Sequence, residues 1–186
     1  HLLNNANCLA SRIFDQCFVV EHSIKPIQYA DIRRAFGKHV KFDMSELIPD
    51  KDHNTGGTGL LQRSKHEIIK PKPKHKTLKQ IIDKGRVGLY GVRLGANDIA
   101  LFYIPYGCTD GDTNSQAAYS TNQILEAIFG DMELQDEGPK YVVGDINASI
   151  NKLTSIEQAL GSGYLIDFGV KASMFGGIDA EYTCQV

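Results

Sequence analysis

Two apolar segments of the sequence end in acidic residues, and these acids could do chemistry. The run CFVV at residues 17–20 ends at Glu21, and YVV at 141–143 leads through Gly144 to Asp145 and Asn147. An acid that directly follows a buried strand lies at the rim of a sheet, where active sites of α/β folds commonly lie. Asp145 and Asn147 are two residues apart, so an extended segment would place both on one face.

A carboxylate beside an amide can bind a hydrated divalent ion, a water nucleophile or a phosphate. Mg²⁺ prefers hard oxygen ligands and often takes one or two carboxylates together with substrate phosphate. The sequence Gly-Asp-x-Asn is equally ordinary turn chemistry, because Asp and Asn side chains bond their own backbone. On this motif alone, a turn and a metal or phosphate site both remain open.

Strands and helices that position these residues are interleaved along the chain. Short apolar runs predict strands, a glycine/asparagine turn predicts a hairpin, and apolar residues at helical spacing predict helices. The predicted strands are 17–20, the hairpin 85–94 and 99–106, and 141–143; the predicted helices start at Pro26, at 118 and at 154 or 155. Ile27, Ala30, Ile32 and Phe36 should form the apolar stripe of the first helix. This order predicts an α+β fold, a layered α/β sandwich with a mixed sheet.

The composition is that of a globular domain. The chain has 186 residues, of which 42% are hydrophobic and 23% charged, which excludes collagen-like, low-complexity and wholly disordered proteins. With 20 Lys and Arg against 22 Asp and Glu, it is not a generally basic nucleic-acid binder, although a local patch is allowed. No apolar run approaches the ~18 residues that span a bilayer, so we expect no membrane partner.

The cysteines Cys8, Cys17, Cys108 and Cys184 form neither a CxxC pair nor a zinc-binding cluster. Four scattered cysteines in a chain of this size favour buried or free thiols in a reducing compartment, although disulfides stay open. We therefore expect an intracellular location, nuclear or cytoplasmic.

Residues 63–86 form the one strongly basic stretch, with nine of the 20 Lys and Arg residues. Alternating prolines exclude a helix interior at 70–76 and predict an exposed extended loop there. Four lysines of this loop could contact nucleic-acid phosphates with salt-dependent, sequence-independent affinity, or could simply be solvated: Lys70, Lys72, Lys74 and Lys76. No aromatic residue is interleaved with them, so base stacking is not expected.

Six short motifs, in this order and spacing, resemble the endonuclease/exonuclease/phosphatase family, which has the DNase-I-like fold. They match an N-x-N-G-L-like opening, a strand ending in Q-E-T or Q-E-H, a glycine-rich strand start, N-x-Y-x-P, G-D-F-N and a Y-T-W element preceded by Asp. In this chain they are NANCL at 5–9, DQCFVVEH at 15–22, GGTGLL at 56–61, FYIP at 102–105, GDIN at 144–147, and Asp167 followed by EYTC at 181–184. Departures include Cys8 for Gly, Val20 for Gln and Cys184 for Trp.

The resemblance implies mainly antiparallel sheets and metal-assisted phosphodiester hydrolysis with Mg²⁺, or with Mn²⁺ in its place. It implies that Glu21 is the main metal ligand and that Asn5 is a nearby ligand or orienting group. Tyr103 would bond the phosphate or the attacking water. Asp145 would position or deprotonate that water, and Asn147 would hold it or a phosphate oxygen.

The family closes with an R-x-D strand and a catalytic S-D-H motif, and neither occurs after Tyr182. None of the six histidines stands in an S-D-H context. We therefore expect a single, incomplete domain over 1–186 that is truncated at its C-terminus, lacks the last strands and has impaired activity. A retrotransposon-type endonuclease domain is one origin that suits such a fragment.

Three functions follow from these observations. The first is a Mg²⁺-dependent endonuclease that acts on DNA through its phosphates. The second is a non-catalytic nucleic-acid or protein binding domain on the same scaffold. The third is a phosphatase or phosphodiesterase for a small phosphorylated lipid, sugar or nucleotide. The oligomeric state stays open.

Overall fold

Two three-stranded sheets pack face to face, and helices cover their outer faces. The structure, a computed structural model, describes residues 15–45, 47, 57–63, 67–94, 96, 98–108, 114–136, 138–148 and 152–166. Within these ranges the predicted α+β class, a layered sandwich of mixed, mainly antiparallel sheets, is confirmed. Asn5, Asp167 and the motif at 181–184 lie outside the described residues.

The first sheet contains β1 (Gln16–Val20), β2 (Val40–Met44) and β3 (Thr58–Arg63). Its order is β1-β3-β2, and both pairs are antiparallel. Val20 lies opposite Thr58, so Glu21 emerges where β3 begins.

The second sheet contains β4 (Val87–Arg93), β5 (Ile99–Pro105) and β6 (Lys140–Val142), in the order β4-β5-β6. The predicted hairpin is observed as the antiparallel pair β4 and β5. β6 runs parallel to β5, with Val142 beside Tyr103. Parallel strands end at the same edge of a sheet, and a bridge between Tyr106 and Asp145 continues this pairing past both strand ends.

The described part of the chain has four α-helices: α1 (Tyr29–Phe36), α2 (Lys76–Asp83), α3 (Asn114–Leu134) and α4 (Thr154–Gly161). A 3₁₀ turn at Pro26–Gln28 precedes α1, and Gly37, at φ 65°, ends it. Ile27 was expected in the apolar stripe but is 85% exposed. The prediction failed there because a 3₁₀ turn does not follow the α-helical repeat.

Alternating side chains along the strands build the layers. Leu60 of β3 packs with Tyr90 and Ile104 between the two sheets. Its neighbour Leu61 points the other way, into the core against α1. In the second sheet, Leu89 and Tyr103 pack on the helical side with residues of α2 and α3. The chain therefore forms a helix–sheet–sheet–helix sandwich.

One expectation about local structure is wrong. Lys76 does not belong to the extended loop, because it is the first residue of α2, which begins once the prolines have passed. Residues 164–166 are not in a strand. No helix in the described ranges has the length and apolar character needed to cross a membrane.

Candidate functional site

The ends of three strands meet at one end of the sandwich. Glu21 follows β1, Tyr106 follows β5, and Asp145 lies three residues beyond β6. The Tyr106 hydroxyl donates a hydrogen bond of 3.3 Å to Oε1 of Glu21. This contact joins the first sheet to the second across the gap between them.

The Asp145–Asn147 segment is a tight turn held against the end of β5. Oδ1 of Asp145 accepts a 3.0 Å hydrogen bond from the Asn147 amide, and the Asn147 side-chain Nδ2 donates to the Gly107 carbonyl at 3.2 Å. The Gly107 amide in turn donates to the Asp145 carbonyl at 2.7 Å. The structure therefore shows the turn rather than an extended segment. The turn nevertheless keeps Asp145 beside Tyr106.

Two glycines permit this close approach of the turn to β5. A methyl group on Gly107 would overlap the Ile146 carbonyl oxygen, and one on Gly144 would overlap the Pro105 carbonyl oxygen. The glycine of the GDIN motif is thus needed for close backbone contact.

Backbone strain is concentrated at these strand ends. Within the described residues, the non-glycine residues with positive φ are Glu21 at 52°, Ser23 at 50° and Asn147 at 49°. Asn tolerates this left-handed conformation, but Glu and Ser rarely adopt it. Such strain is commonly found where a chain positions groups for binding or catalysis.

The His22 side chain is buried in the turn after Glu21, where it accepts a hydrogen bond from the backbone. It is buried, and its Nδ1 accepts a 3.0 Å hydrogen bond from the Ile24 amide. Gly57 packs closely against the imidazole ring, because a methyl group on Gly57 would overlap Nε2 of His22. Burial lowers the pKa of His22, and the nearby Ser45 backbone only partly offsets this. Nε2 nevertheless has no partner at hydrogen-bond distance.

Tyr106 lies between charges of opposite sign. Its side chain is only 5% exposed, and the Arg86 guanidinium lies 5.4 Å above its ring. Burial first, and then the Glu21 carboxylate, raise the pKa of Tyr106 to about 12; Asp145 also raises it, whereas Arg86 lowers it. The phenol is therefore a hydrogen-bond donor at neutral pH. The Glu21 carboxylate is hydrogen-bonded to this hydroxyl, and Asp145 is paired with Tyr106 through the backbone.

Tyr103 does not join this cluster. It is fully buried, and its hydroxyl donates a 2.8 Å hydrogen bond to Oδ2 of Asp131 on α3. The N-x-Y-x-P resemblance placed Tyr103 at the phosphate, but alternation along β5 turns it toward the helices. The tyrosine that contacts Glu21 is Tyr106, three residues later and beyond the strand end.

Two of the four loop lysines are engaged in ion pairs. Lys70 pairs with Asp43, and Lys74 pairs with Asp136 at 2.9 Å. Lys72 and Lys76 are exposed, and no ion pair to either occurs among the described residues. All four lysines remain predicted phosphate contacts, but Lys70 and Lys74 would have to exchange a carboxylate partner for a phosphate.

Asp131 fixes the loop that carries these lysines. This buried carboxylate accepts from the Lys74 amide at 2.6 Å and from the His75 amide at 2.7 Å, as well as from Tyr103. Asp131 was not among the residues predicted from the sequence. The sequence feature that could have indicated Asp131 is its position seven residues after Ile124, which places an acid on the apolar face of the helix. Tyr106 and Arg86 were missed as well, although Tyr106 follows a buried strand as Glu21 does.

The donor set at the strand ends fits a hard divalent cation. Glu21 is exposed, Asp145 is half-buried, and both present oxygen ligands, as Mg²⁺ requires from one or two carboxylates. The structure describes no group of three or more His, Cys, Asp or Glu side chains that could hold a metal ion. The predicted Asn5 ligand lies outside the described residues. Among the described residues, Cys17 and Cys108 are not joined by a disulfide.

A separate cavity of about 460 Å³ lies between the end of β2, the loop at 70–73 and β4. None of Glu21, Tyr106 or Asp145 lines it. Its Lys70 and Tyr90 are already paired with Asp43. We therefore place the candidate site at the strand ends, where carboxylates are accessible.

The fold and site define a layered α+β protein with two carboxylates, Glu21 and Asp145, beyond the ends of its strands. No protein-family model matches this chain, and no curated protein matches it. Among solved structures, it is similar to truncated Caenorhabditis elegans TDP2, with 13% sequence identity and a TM-score of 0.48. The match covers 81% of this chain and 58% of that one, so this chain spans less than two thirds of that protein's length.

Proposed function

We propose that this protein binds a divalent metal ion beside Glu21 at the strand ends and hydrolyses phosphodiester bonds, with DNA as the substrate. The observation that carries the proposal is that Tyr106 contacts both acidic residues. Its hydroxyl donates to Glu21 at the end of the first sheet, and its backbone pairs with Asp145 at the end of the second. The order of the six motifs supports the same activity, because it resembles the endonuclease/exonuclease/phosphatase family.

Glu21 is the proposed principal ligand of Mg²⁺, or of Mn²⁺ in its place. When bound, the ion would polarise a phosphoryl oxygen and stabilise negative charge on the leaving oxygen. Glu21 suits this role because it is exposed and its carboxylate is held at only one oxygen by Tyr106. Asn5, as the resemblance implies, would be a further ligand or orienting group.

Asp145 and Asn147 are the proposed groups for the attacking water. Oδ1 of Asp145 accepts a hydrogen bond from the Asn147 amide, which fixes the orientation of the carboxylate. A fixed carboxylate can accept a proton from water or orient it by a hydrogen bond. The Asn147 Nδ2 is bound to the Gly107 carbonyl, which leaves its amide oxygen to accept a hydrogen bond.

DNA would be held by its phosphates rather than by its bases. Lys72 and Lys76 are exposed on a segment fixed by Asp131, and exposed lysines give sequence-independent affinity. These contacts belong to the same proposal, because they would add affinity for DNA to that of the metal site.

The test uses the 186-residue chain with supercoiled plasmid and Mg²⁺, together with titration by Mn²⁺ in electron paramagnetic resonance. Glu21→Gln and Asp145→Asn keep side-chain size but remove the negative charge. Glu157→Gln makes the same change at an exposed glutamate of α4 and is the matched control. We expect Glu157→Gln to match the unmodified chain. Glu21→Gln should lose Mn²⁺ binding, and Asp145→Asn should lose nicking.

Because no S-D-H motif occurs in the sequence, we expect slow nicking by these 186 residues. Metal binding is therefore the more sensitive readout. Equal Mn²⁺ affinity of the unmodified chain and Glu21→Gln would overturn the proposed metal site, and equal nicking by both would overturn the proposed activity.

Binding without hydrolysis is the second candidate function. The observation that favours it is the rigid segment at 70–74, which presents Lys72 without an ion pair in the described part of the chain. Retention of DNA in a salt-dependent manner, with no nicking and with equal retention by Glu21→Gln, would support this candidate against the first.

A further inference from the structure

We propose that Tyr106 is a positioning residue that holds the Glu21 carboxylate in one orientation, and that Arg86 braces Tyr106 in turn. The inference deepens the proposed function and rests on it, since it concerns the same metal-binding carboxylate.

Glu21 needs an external restraint. Glu21 is exposed and has a left-handed backbone conformation just after β1, so its side chain has several rotamers available in water. A single hydrogen bond from a buried, immobile hydroxyl selects one of them. Holding a ligand in its bound orientation before the ion arrives lowers the entropy cost of binding.

The phenol of Tyr106 is well suited to this task. Its ring is 5% exposed, so its hydroxyl has little freedom. It donates to one carboxylate oxygen and leaves the other oxygen, and further lone pairs, for a cation. Groups that orient metal ligands in this way typically change metal affinity by about tenfold to hundredfold when they are removed.

Arg86 holds Tyr106 on two sides. Its guanidinium lies 5.4 Å above the ring, and its NH1 donates a 3.1 Å hydrogen bond to the carbonyl of the following residue, Gly107. The Tyr106 amide also donates to the Arg86 carbonyl at 2.8 Å. A lysine could not reproduce both the planar contact with the ring and the directed hydrogen bond.

The main test is a double-mutant cycle on Mn²⁺ affinity, measured by electron paramagnetic resonance. Tyr106→Phe removes only the hydroxyl, so the ring and its packing stay. Glu21→Asp keeps the carboxylate but shortens its side chain beyond the reach of Tyr106. We expect Tyr106→Phe to weaken Mn²⁺ binding about tenfold in the chain that keeps Glu21. In the Glu21→Asp variant, the same change should have no effect on Mn²⁺ binding.

A spectroscopic readout comes from Tb³⁺, a hard cation whose luminescence is excited through nearby aromatic rings. The chain has no tryptophan, so tyrosines are its sensitisers. Tyr106→Phe should abolish most sensitised emission even at saturating Tb³⁺. Tyr119→Phe, a matched control at a tyrosine that is 60% exposed on α3, should leave the emission unchanged. Arg86→Lys should weaken Mn²⁺ binding less than Tyr106→Phe does.

The outcomes separate the two proposals. If Glu21→Gln binds Mn²⁺ as tightly as the unmodified chain, the proposed metal site is wrong. If Glu21→Gln loses binding but Tyr106→Phe does not, the metal site stands and the positioning role of Tyr106 is overturned. An equal effect of Tyr106→Phe on Mn²⁺ affinity in the unmodified chain and in Glu21→Asp would also overturn the positioning role, because that result indicates a structural role only.

Discussion

The Tyr103 hydroxyl is joined to the Asp131 carboxylate by a 2.8 Å hydrogen bond between two residues with no solvent exposure. The bond ties β5 to α3. Because the same carboxylate accepts the Lys74 and His75 amides, one acid also fixes the start of α2. The basic segment is therefore attached to the core, and its lysines are presented from a rigid support.

Removing this carboxylate should be among the most damaging single changes to the fold. Asp131→Ala leaves two amides and a buried hydroxyl without an acceptor, so we expect the free energy of unfolding to fall by about 3 kcal/mol or more. Tyr103→Phe should cost about 1–2 kcal/mol. Urea denaturation measures both changes. Asp136→Ala, which removes a fully exposed partner of Lys74, is the control and should stay near the unmodified chain. Equal effects of the two aspartate variants would contradict this prediction.

The close contact between the Asp145 turn and β5 makes a second prediction. Gly107→Ala and Gly144→Ala should each lower the free energy of unfolding by about 2 kcal/mol or more, because the new methyl group meets backbone that cannot move away. Thermal unfolding followed by circular dichroism measures the change. Gly161→Ala at the end of α4 meets no atom within 4 Å and should be neutral or slightly stabilising. Tolerance of alanine at position 107 would show that the turn does not approach β5 so closely.

His22 should make stability depend on pH. Burial lowers the pKa of His22 below 6.5, so its contribution is fully present above pH 6.5 and is lost as pH falls toward its folded-state pKa. We expect the free energy of unfolding of the unmodified chain to fall more between about pH 7.5 and about pH 5.5 than that of His22→Asn. Asn keeps an acceptor for the Ile24 amide. The comparison cancels the other histidines, and identical losses in the two proteins would refute the assignment to His22.

The loop lysines should differ in how they contribute to DNA binding. Lys72→Ala should reduce the slope of log K against log salt by about 1, because an unpaired lysine can replace a counterion on a phosphate. Lys70→Ala and Lys74→Ala should reduce the slope less, because these lysines are paired with Asp43 and Asp136. Fluorescence anisotropy of a labelled duplex in EDTA measures binding without cleavage. A uniform effect at all three positions would indicate that the ion pairs do not persist in solution.

The sequence by itself determined the features that depend on neighbours along the chain. Apolar runs and helical spacing predicted β1, the β4–β5 hairpin and the long helix α3, because side-chain periodicity is a local property. The same reasoning placed Glu21 and Asp145 just beyond strand ends. The proline spacing correctly excluded a helix from 70 to 74, although α2 begins soon after it.

Only the tertiary structure decided which side chains meet. Glu21 and Tyr106 are 85 positions apart in sequence, and Tyr103 and Asp131 are 28 apart. One step of register exchanges the two faces of a strand, so the tyrosine that contacts Glu21 could not be chosen from the motif. The ion pairs of Lys70 and Lys74 were likewise hidden, since their partners belong to β2 and to the segment after α3. Local periodicity sets the elements, whereas long-range strand pairing sets their faces and therefore the site.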